Sequence, residues 1–464
     1  MTRRKDGAKS GTSTILPNCI LTFTFLFLSF VHSGFLSYNS SFISMTDVRT
    51  SPLRADNTEN ITEIEWNNPE LMLRHRRVRL SVAQIGWGFA VGALGSGLGL
   101  ILVDRIRKHI RIYALTFLSG SVISATCLIL PYMIANSFVA FTFLRLIRGI
   151  ISGILPMTAS KMLSKWVSDR NRKFWTIVFS TYVEMSPLIA LTIAKFAGSA
   201  RWPLIFYIHG GTALFLTIGW AVVVIFGKMP RLDQENDSET SLGGNKYVLH
   251  TGVNEESRVA LPLWALLKNF QFWSVMAGSL GHTFGVQFSL TCSLLFYANA
   301  LKYTPRECAG ATLYPILLML IVKIATSCLF DDFPWPSKLK KIKIFNSMAL
   351  FGCGGLFWAV TMRNPDGGAM DVGLLATAIC CLGFYTGGCP KLVQTFGKAD
   401  ASTINHYTQV SGHFLTIISS FWVPYMGYGS SFEEWAIILR TFGTVLICCN
   451  CVFLFSNGKS LNGA

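Results

Sequence analysis

Residues Phe141 to Lys173 read FTFLRLIRGIISGILPMTASKMLSKWVSDRNRK. From Phe141 to Met162 the stretch is almost unbroken apolar sequence, long enough as a helix to cross a bilayer. Arg145 and Arg148 stand three residues apart and so share one helical face. An arginine inside a lipid-spanning segment costs about 2.5–3.5 kcal/mol on insertion scales, so it faces the protein interior and carries a functional or pairing role. Gly149, Ser152 and Gly153 offer a neighbouring helix a close approach beside those charges. We read the stretch as one wall of a polar cavity inside a membrane protein.

The whole composition agrees. The 464 residues are 51% hydrophobic and only 14% charged, with a mean hydropathy of +0.45, too apolar for a soluble chain of this size. The formal charge of +16, from 40 basic and 24 acidic residues, sits in short clusters between apolar runs. That is the pattern of cytoplasmic loops in a membrane protein and not a nucleic-acid surface. The 12 cysteines fall almost entirely in apolar segments and read as reduced core or lipid-facing thiols.

Outward from the arginine segment, the chain divides into apolar spans. Residues 1–15 are a basic cytoplasmic N-terminus, and a first span follows to about Leu36. The polar stretch 38–79 carries two glycosylation sequons, at Asn39 and Asn60, as a lumenal or extracellular loop does, and closes on the basic run Arg74 to Arg79. The second span ends in Asp104-Arg105-Ile106-Arg107-Lys108, expected to be a charged turn. A like element recurs later, where Asp331-Asp332 precedes Lys338, Lys340, Lys341 and Lys343. Acid-then-base turns at matching places, here centred on Asp104, Arg105, Lys108 and Asp332, are what a duplicated transporter fold shows and are candidate gating turns. Polar residues 227–269 form a cytoplasmic linker between an N-terminal six-helix half (16–226) and a C-terminal one (270–456), with a cytoplasmic tail at 457–464. The expected fold is an all-α membrane protein with twelve transmembrane helices in two pseudo-symmetric six-helix halves.

Chemistry points to an anion. An anion that sheds hydration needs a cation in its place, and the planar guanidinium fork suits carboxylate or phosphate. Arg145 is the leading candidate, its alternative being a strut paired with Glu184 or with helix-end carbonyls; Arg148 is a second candidate, its alternative being a snorkelling side chain. His282 is a third solute-binding candidate. Proton coupling needs a group that titrates as its surroundings switch between dry and wet. Glu184, in the fifth span, qualifies by burial, and His282, His406 and His413 by their intrinsic range, each with an ion-pairing or packing role as the alternative. No nucleophile set, phosphate loop or zinc spacing is present, so neither an enzyme, a bound cofactor nor a metal is expected.

Several local patterns resemble the anion/cation symporter family of the major facilitator superfamily, the group of sialin, the vesicular glutamate transporters and the type I sodium-phosphate cotransporters. Arg145, Gly149 and Gly153 are similar to its fourth-span R-x-x-x-G-x-x-x-G; Ser164-Lys165-Trp166 with Arg172 resembles the turn that follows. Trp202, Phe206, Tyr207 and Gly210 stand at its W-x-x-x-F-Y-x-x-G spacing, and Pro262, Trp264 and Trp273 resemble the start of its seventh span. The resemblance implies an alternating-access transporter of an organic or inorganic anion, coupled to H+ or Na+, in the plasma membrane or an endolysosomal or secretory vesicle membrane. The sequence departs at Ser152, where the family carries a glutamate. That departure leaves a second reading open, a membrane sensor or receptor that keeps the fold without transporting.

Overall fold

The computed structural model describes residues 12–46, 72–198, 201–226, 263–332, 337–363, 369–396, 398–427 and 431–457. Among them every regular element is helical. Asn60 and most of the 227–269 linker lie outside the described residues.

The chain clusters into two compact units, residues 1–229 with Tyr303–Leu313, and residues 230–302 with 314–464. The first holds α1 (Thr12–Thr46), α2 (Val82–His109), α3 (Ile112–Asn136), α4 (Phe138–Trp166), the pair α5 (Arg172–Ser180) and α6 (Tyr182–Ala197), and α7 (Trp202–Phe226). The second holds α8 (Leu263–Lys268), α9 (Phe270–Gln287), α10 (Ser293–Asn299), most of α11 (Pro305–Leu329), α12 (Lys338–Thr361), α13 (Ala369–Cys381), α14 (Cys389–Val393), α15 (Lys398–Met426) and α16 (Phe432–Leu454). Among the described residues 9 helical segments are long and apolar enough to cross a membrane, and α5 with α6, bent by 41°, makes a tenth. Two more polar stretches have the length to cross as well: α9 continues through a π-helical turn at Phe288–Cys292 into α10, and α15 runs for 29 residues.

Polar side chains at helix starts supply the missing backbone partners. Ser81 and Gln84 form a reciprocal capping box on α2, Ser137 caps α4, Asn269 caps α9 and Ser431 caps α16. Apolar faces then bury against one another. Phe27, Leu28, Val31, Ile123, Ile151, Leu155 and Trp220 centre the first unit, and Leu266, Phe272, Val275, Phe330, Ile342 and Phe453 the second.

Three expectations change here. The first span does not end near Leu36, because α1 continues to Thr46. Its serines at 33, 37, 40, 41 and 44 are all buried, a polar stripe at helical spacing that faces inward, where hydropathy alone reads a loop. Asn39 therefore lies in a helix and not on a glycosylatable loop. Asp104, Arg105 and Lys108 likewise belong to the last turns of α2, which runs to His109, and the turn itself is Ile110–Arg111. Arg105 and Lys108 are exposed, and Asp332 is exposed in the turn after α11. The linker's end, Leu263–Lys268, is helical.

The basic run before α2 folds back onto the first unit. Arg77 is fully buried and donates to the carbonyls of Arg74 and Arg76 at 3.3 Å each, and Trp202 donates from Nε1 to the Arg76 carbonyl at 2.9 Å.

Candidate functional site

Glycines set the site's frame. α2 and α4 meet where Gly95 and Gly149 lie face to face: a Cβ on Gly95 would stand 2.9 Å from the Gly149 Cα, and one on Gly149 2.8 Å from the Gly95 Cα. With no side chains between them the backbones touch. Gly92 leaves room for the Arg145 guanidinium, whose Nη2 a Cβ there would approach to 2.8 Å.

Arg145 lies between α1, α2 and α4, 1% exposed. Its Nε donates to the Gly88 carbonyl at 3.2 Å, its Nη1 to the Phe35 carbonyl at 3.0 Å, and its Nη2 reaches Asn39 Oδ1 at 3.5 Å. The guanidinium also lies over the Tyr38 ring at 4.6 Å and the Phe35 ring at 5.2 Å, where the negative ring faces offset part of its lost hydration. Every nitrogen of this group is thus spent on α1 and α2.

Arg148, one turn on, differs. It is fully buried, and its Nη2 donates to the Gly34 carbonyl, to Ser37 Oγ at 2.9 Å and towards Cys127 Sγ at 3.5 Å. Its Nε and Nη1 have no acceptor. Beside this group Ser33 Oγ lies 2.9 Å from His209 Nε2, and His209 Nδ1 lies 2.6 Å from the Ile205 carbonyl. Since a carbonyl only accepts, Nδ1 carries a proton and donates it to the Ile205 carbonyl, which leaves Nε2 to exchange a hydrogen bond with the serine hydroxyl.

No carboxylate among the described residues pairs with either arginine, so the pairing of Arg145 with Glu184 does not occur. Two guanidiniums then share a dry interior with only carbonyls, hydroxyls, a thiol and ring faces around them. The water-reachable wall expected from sequence is closed in this conformation: α1 covers both groups. Snorkelling is excluded for Arg148 by its burial.

These observations meet known proteins at one point. The sequence profile of the Major Facilitator Superfamily matches residues 19–423. The chain belongs to that superfamily.

Its relatives are distant. The chain is 24% identical over 214 residues to the sodium-dependent phosphate transport protein 1 of Rattus norvegicus, a match covering 45% of this chain and 44% of that protein. It is 22% identical over 341 residues to a putative inorganic phosphate cotransporter of Drosophila ananassae, covering 68% of this chain and 66% of the other. The match thus spans less than half of the rat relative's length. Among solved structures the chain is similar in fold to a bacterial homologue of the human lysosomal transporter Spinster, with a TM-score of 0.62 and 10% identity over 97% of this chain and 98% of that one. A D-xylose-proton symporter superposes with a TM-score of 0.61 at 13% identity, covering 94% and 99%. The chain is a multi-pass integral membrane protein and a divergent member of the superfamily, and the curated relatives carry names from the group its motifs resemble.

The residues that carry the family resemblance acquire physical reasons. Trp202 and Phe206 are buried edge to face at 6.2 Å, and the Gly210 carbonyl accepts from Ser124 Oγ at 2.8 Å, joining α7 to α3. Ser152, in the family's glutamate position, is buried on α4. Glu184 is half-buried in the first turn of α6, just past the bend that splits the fifth span.

In the second unit the His282 ring stacks on Tyr385 with centroids 3.7 Å apart. The Tyr385 hydroxyl lies 3.1 Å from Ser279 Oγ, itself 3.4 Å from Cys389 Sγ. Tyr385 sits in a 3-10 segment, Leu382–Gly387, that interrupts the tenth span between α13 and α14. His413 follows Gly412, where a Cβ would stand 3.1 Å from Thr283 Cγ2, so α15 crosses α9 next to His282. His406 is two turns earlier on α15 and meets Tyr407 edge-on at 6.0 Å. The structure thus brings the positions of His282 and His413 to one helix crossing.

Sequence reading missed His209, Ser33 and Ser37, and also the buried pair Asn346 and Asn450, which are 2.9 Å apart and join α12 to α16. The signal for Ser33 and Ser37 was the helical spacing of the α1 serines. His209 lay inside a quoted motif without a role.

Proposed function

We propose that this chain is a secondary active transporter that carries an organic or inorganic anion across the membrane by alternating access, coupled to H+ or Na+. One observation supports it above the others: two buried guanidiniums on α4, with no carboxylate partner among the described residues and two Arg148 nitrogens without acceptors. Such charge without a counter-ion in a dry interior is costly unless something negative visits it.

The two arginines then divide the work. Arg145 holds α1 and α2 in place, while Arg148 keeps donors in reserve for a phosphate or carboxylate. Both are covered by α1, so the solute reaches them only when the segment Gly34–Asn39 withdraws. That movement is the opening step, and the anion competes with the α1 carbonyl and hydroxyl for the same nitrogens. His282 with Tyr385 is the matching solute contact in the second unit, and Glu184, His406 and His413 are the groups for proton coupling. Arg105, Lys108 and Asp332 are retained as gate residues, and the lipid bilayer and a small anionic solute are the partners. The phosphate named for the curated relatives makes inorganic phosphate the first solute to try.

The test is uptake into proteoliposomes under imposed pH and sodium gradients, with phosphate, glutamate, sialic acid and urate as solutes. Accumulation of one of them, lost in Arg148→Met protein of equal abundance, supports the proposal. Ser152 in the glutamate position favours the sensor reading, which wins if a solute shifts the melting temperature yet none accumulates under any gradient.

A further inference from the structure

α8 and the first turns of α9 carry a surface that the transport reading does not use. Leu263, Trp264, Leu267, Phe270 and Trp273 are all exposed, Trp264 by 64%. Leu266, on the other face of the same short helix, is fully buried among Phe272, Phe330 and Ile342. The segment is thus pinned to the second unit on one side and apolar on the other. Its angle is fixed: Asn269 caps α9 through the Gln271 N–H at 2.8 Å, and Trp273 donates from Nε1 to the Leu267 carbonyl at 2.8 Å.

We infer that this face lies on the membrane surface, seated among anionic phospholipid headgroups at the basic end of the second unit. Helical structure runs without interruption from Phe270 to Asn299, about 45 Å at 1.5 Å per residue, against a hydrocarbon core of about 30 Å. Its ends project into the headgroup layer, which places Phe270 and Trp273 at the depth where aromatic side chains collect. A cluster of large apolar side chains at that depth is unsuited to water and suited to the acyl boundary.

Charge selects the headgroup. Lys268 is exposed with its ammonium 5.2 Å over the Trp264 ring. α12 begins beside α8, since Leu339 and Ile342 pack in the same cluster as Leu266, and its first turns carry exposed Lys338 and Lys340 and half-buried Lys343. Lys341 and Lys391 lie over the Phe330 ring at 4.5 and 5.0 Å. Among the described residues the acids at this end are Asp331 and Asp332, after α11, and buried Asp400, and the lysines outnumber them. By the positive-inside rule this is the cytoplasmic leaflet, where acidic lipids concentrate. The proposal stands independently of transport.

The test uses the full chain, labelled with 5-fluorotryptophan, in nanodiscs of phosphatidylcholine with phosphatidylserine. Trp264→Phe assigns the Trp264 resonance while leaving the Leu266 contacts in place, and fully buried Trp220 is the internal reference. The expected result is stronger broadening of Trp264 by a headgroup-attached nitroxide lipid than by a nitroxide at the end of an acyl chain or by a water-soluble gadolinium chelate. Broadening by the chelate in excess of that by the headgroup label, or by none of the three because the linker or a partner protein covers the face, overturns the inference. In a second arm, spin-labelled phosphatidylserine and phosphatidylcholine compete for the protein surface. Lys268→Gln with Lys340→Gln is expected to weaken the serine lipid's advantage by about fivefold per lysine at low ionic strength. An unchanged advantage overturns the assignment of these lysines to headgroups.

Discussion

The Arg148 guanidinium of α4 donates to the Ser37 hydroxyl of α1 at 2.9 Å, while two of its nitrogens lie buried without an acceptor. A side chain kept for stability alone does not leave donors unpaired, since each buried and unmet donor costs about 1–3 kcal/mol. Arg148→Met, of similar length and apolar, is therefore expected to leave thermal stability unchanged or raise it, while abolishing solute uptake. Arg145→Met, which deletes the contacts to Phe35, Tyr38, Asn39 and Gly88, is expected to be the more destabilising of the two. Tryptophan-fluorescence melting in detergent beside proteoliposome uptake checks both. A deep fall in melting temperature for Arg148→Met assigns it a structural role.

The α2–α4 seam makes a second prediction. A methyl group on Gly95 or Gly149 meets backbone atoms that have nowhere to move, whereas one on Gly211 meets nothing within 4 Å. Gly149→Ala is expected to cost about 1–3 kcal/mol by overpacking, and Gly211→Ala to be silent. Yield of monodisperse protein on size exclusion, with melting temperature, separates them.

Asn346 and Asn450 supply a third. Both are fully buried; Asn346 donates from Nδ2 to Asn450 Oδ1 at 2.9 Å and accepts from the Cys389 N–H at 3.2 Å, and Asn450 donates to Ser347 Oγ at 3.0 Å. Asn450→Leu strands the Asn346 amide and is expected to cost about 1–3 kcal/mol. Adding Asn346→Leu is expected to cost less than the sum of the singles, because the stranded group is gone. A double-mutant cycle on thermal stability measures the difference, and strict additivity contradicts the coupling.

Much of this was readable before any coordinates. The spans around Phe141–Met162 stood out because lipid-facing and core residues are both apolar, so a run of them needs no periodicity to be seen. Arg145 and Arg148 stood out because charge in such a run is rare. What acts on them did not, because half of their acceptors are backbone carbonyls, at Gly34, Phe35 and Gly88, which leave no trace in residue identity. The Asn39 sequon misled for a related reason: a helix whose buried face is serine-rich has the hydropathy of a loop. The bend before Glu184 and the broken tenth span at Tyr385 depend on packing between distant segments and were equally invisible.

His282 and Tyr385 carry the fourth prediction. Their stack is worth about 0.5–1.5 kcal/mol beyond area burial, so Tyr385→Leu is expected to leave a folded protein. If this pair contacts solute, His282→Ala raises KM for uptake severalfold with little change in kcat. A change in kcat alone, with KM preserved, assigns the histidine to the conformational step instead.

The central claim is that the solute meets the α4 guanidiniums when α1 withdraws, and position 37 reports on it. Ser37→Cys in a background with the native cysteines replaced is treated with a membrane-impermeant charged thiosulfonate during turnover, with and without the transported anion. The account predicts that the thiol, buried at rest, is modified while the protein cycles and is protected by saturating anion. Transport at the wild-type rate with position 37 never modified, from either side, contradicts it.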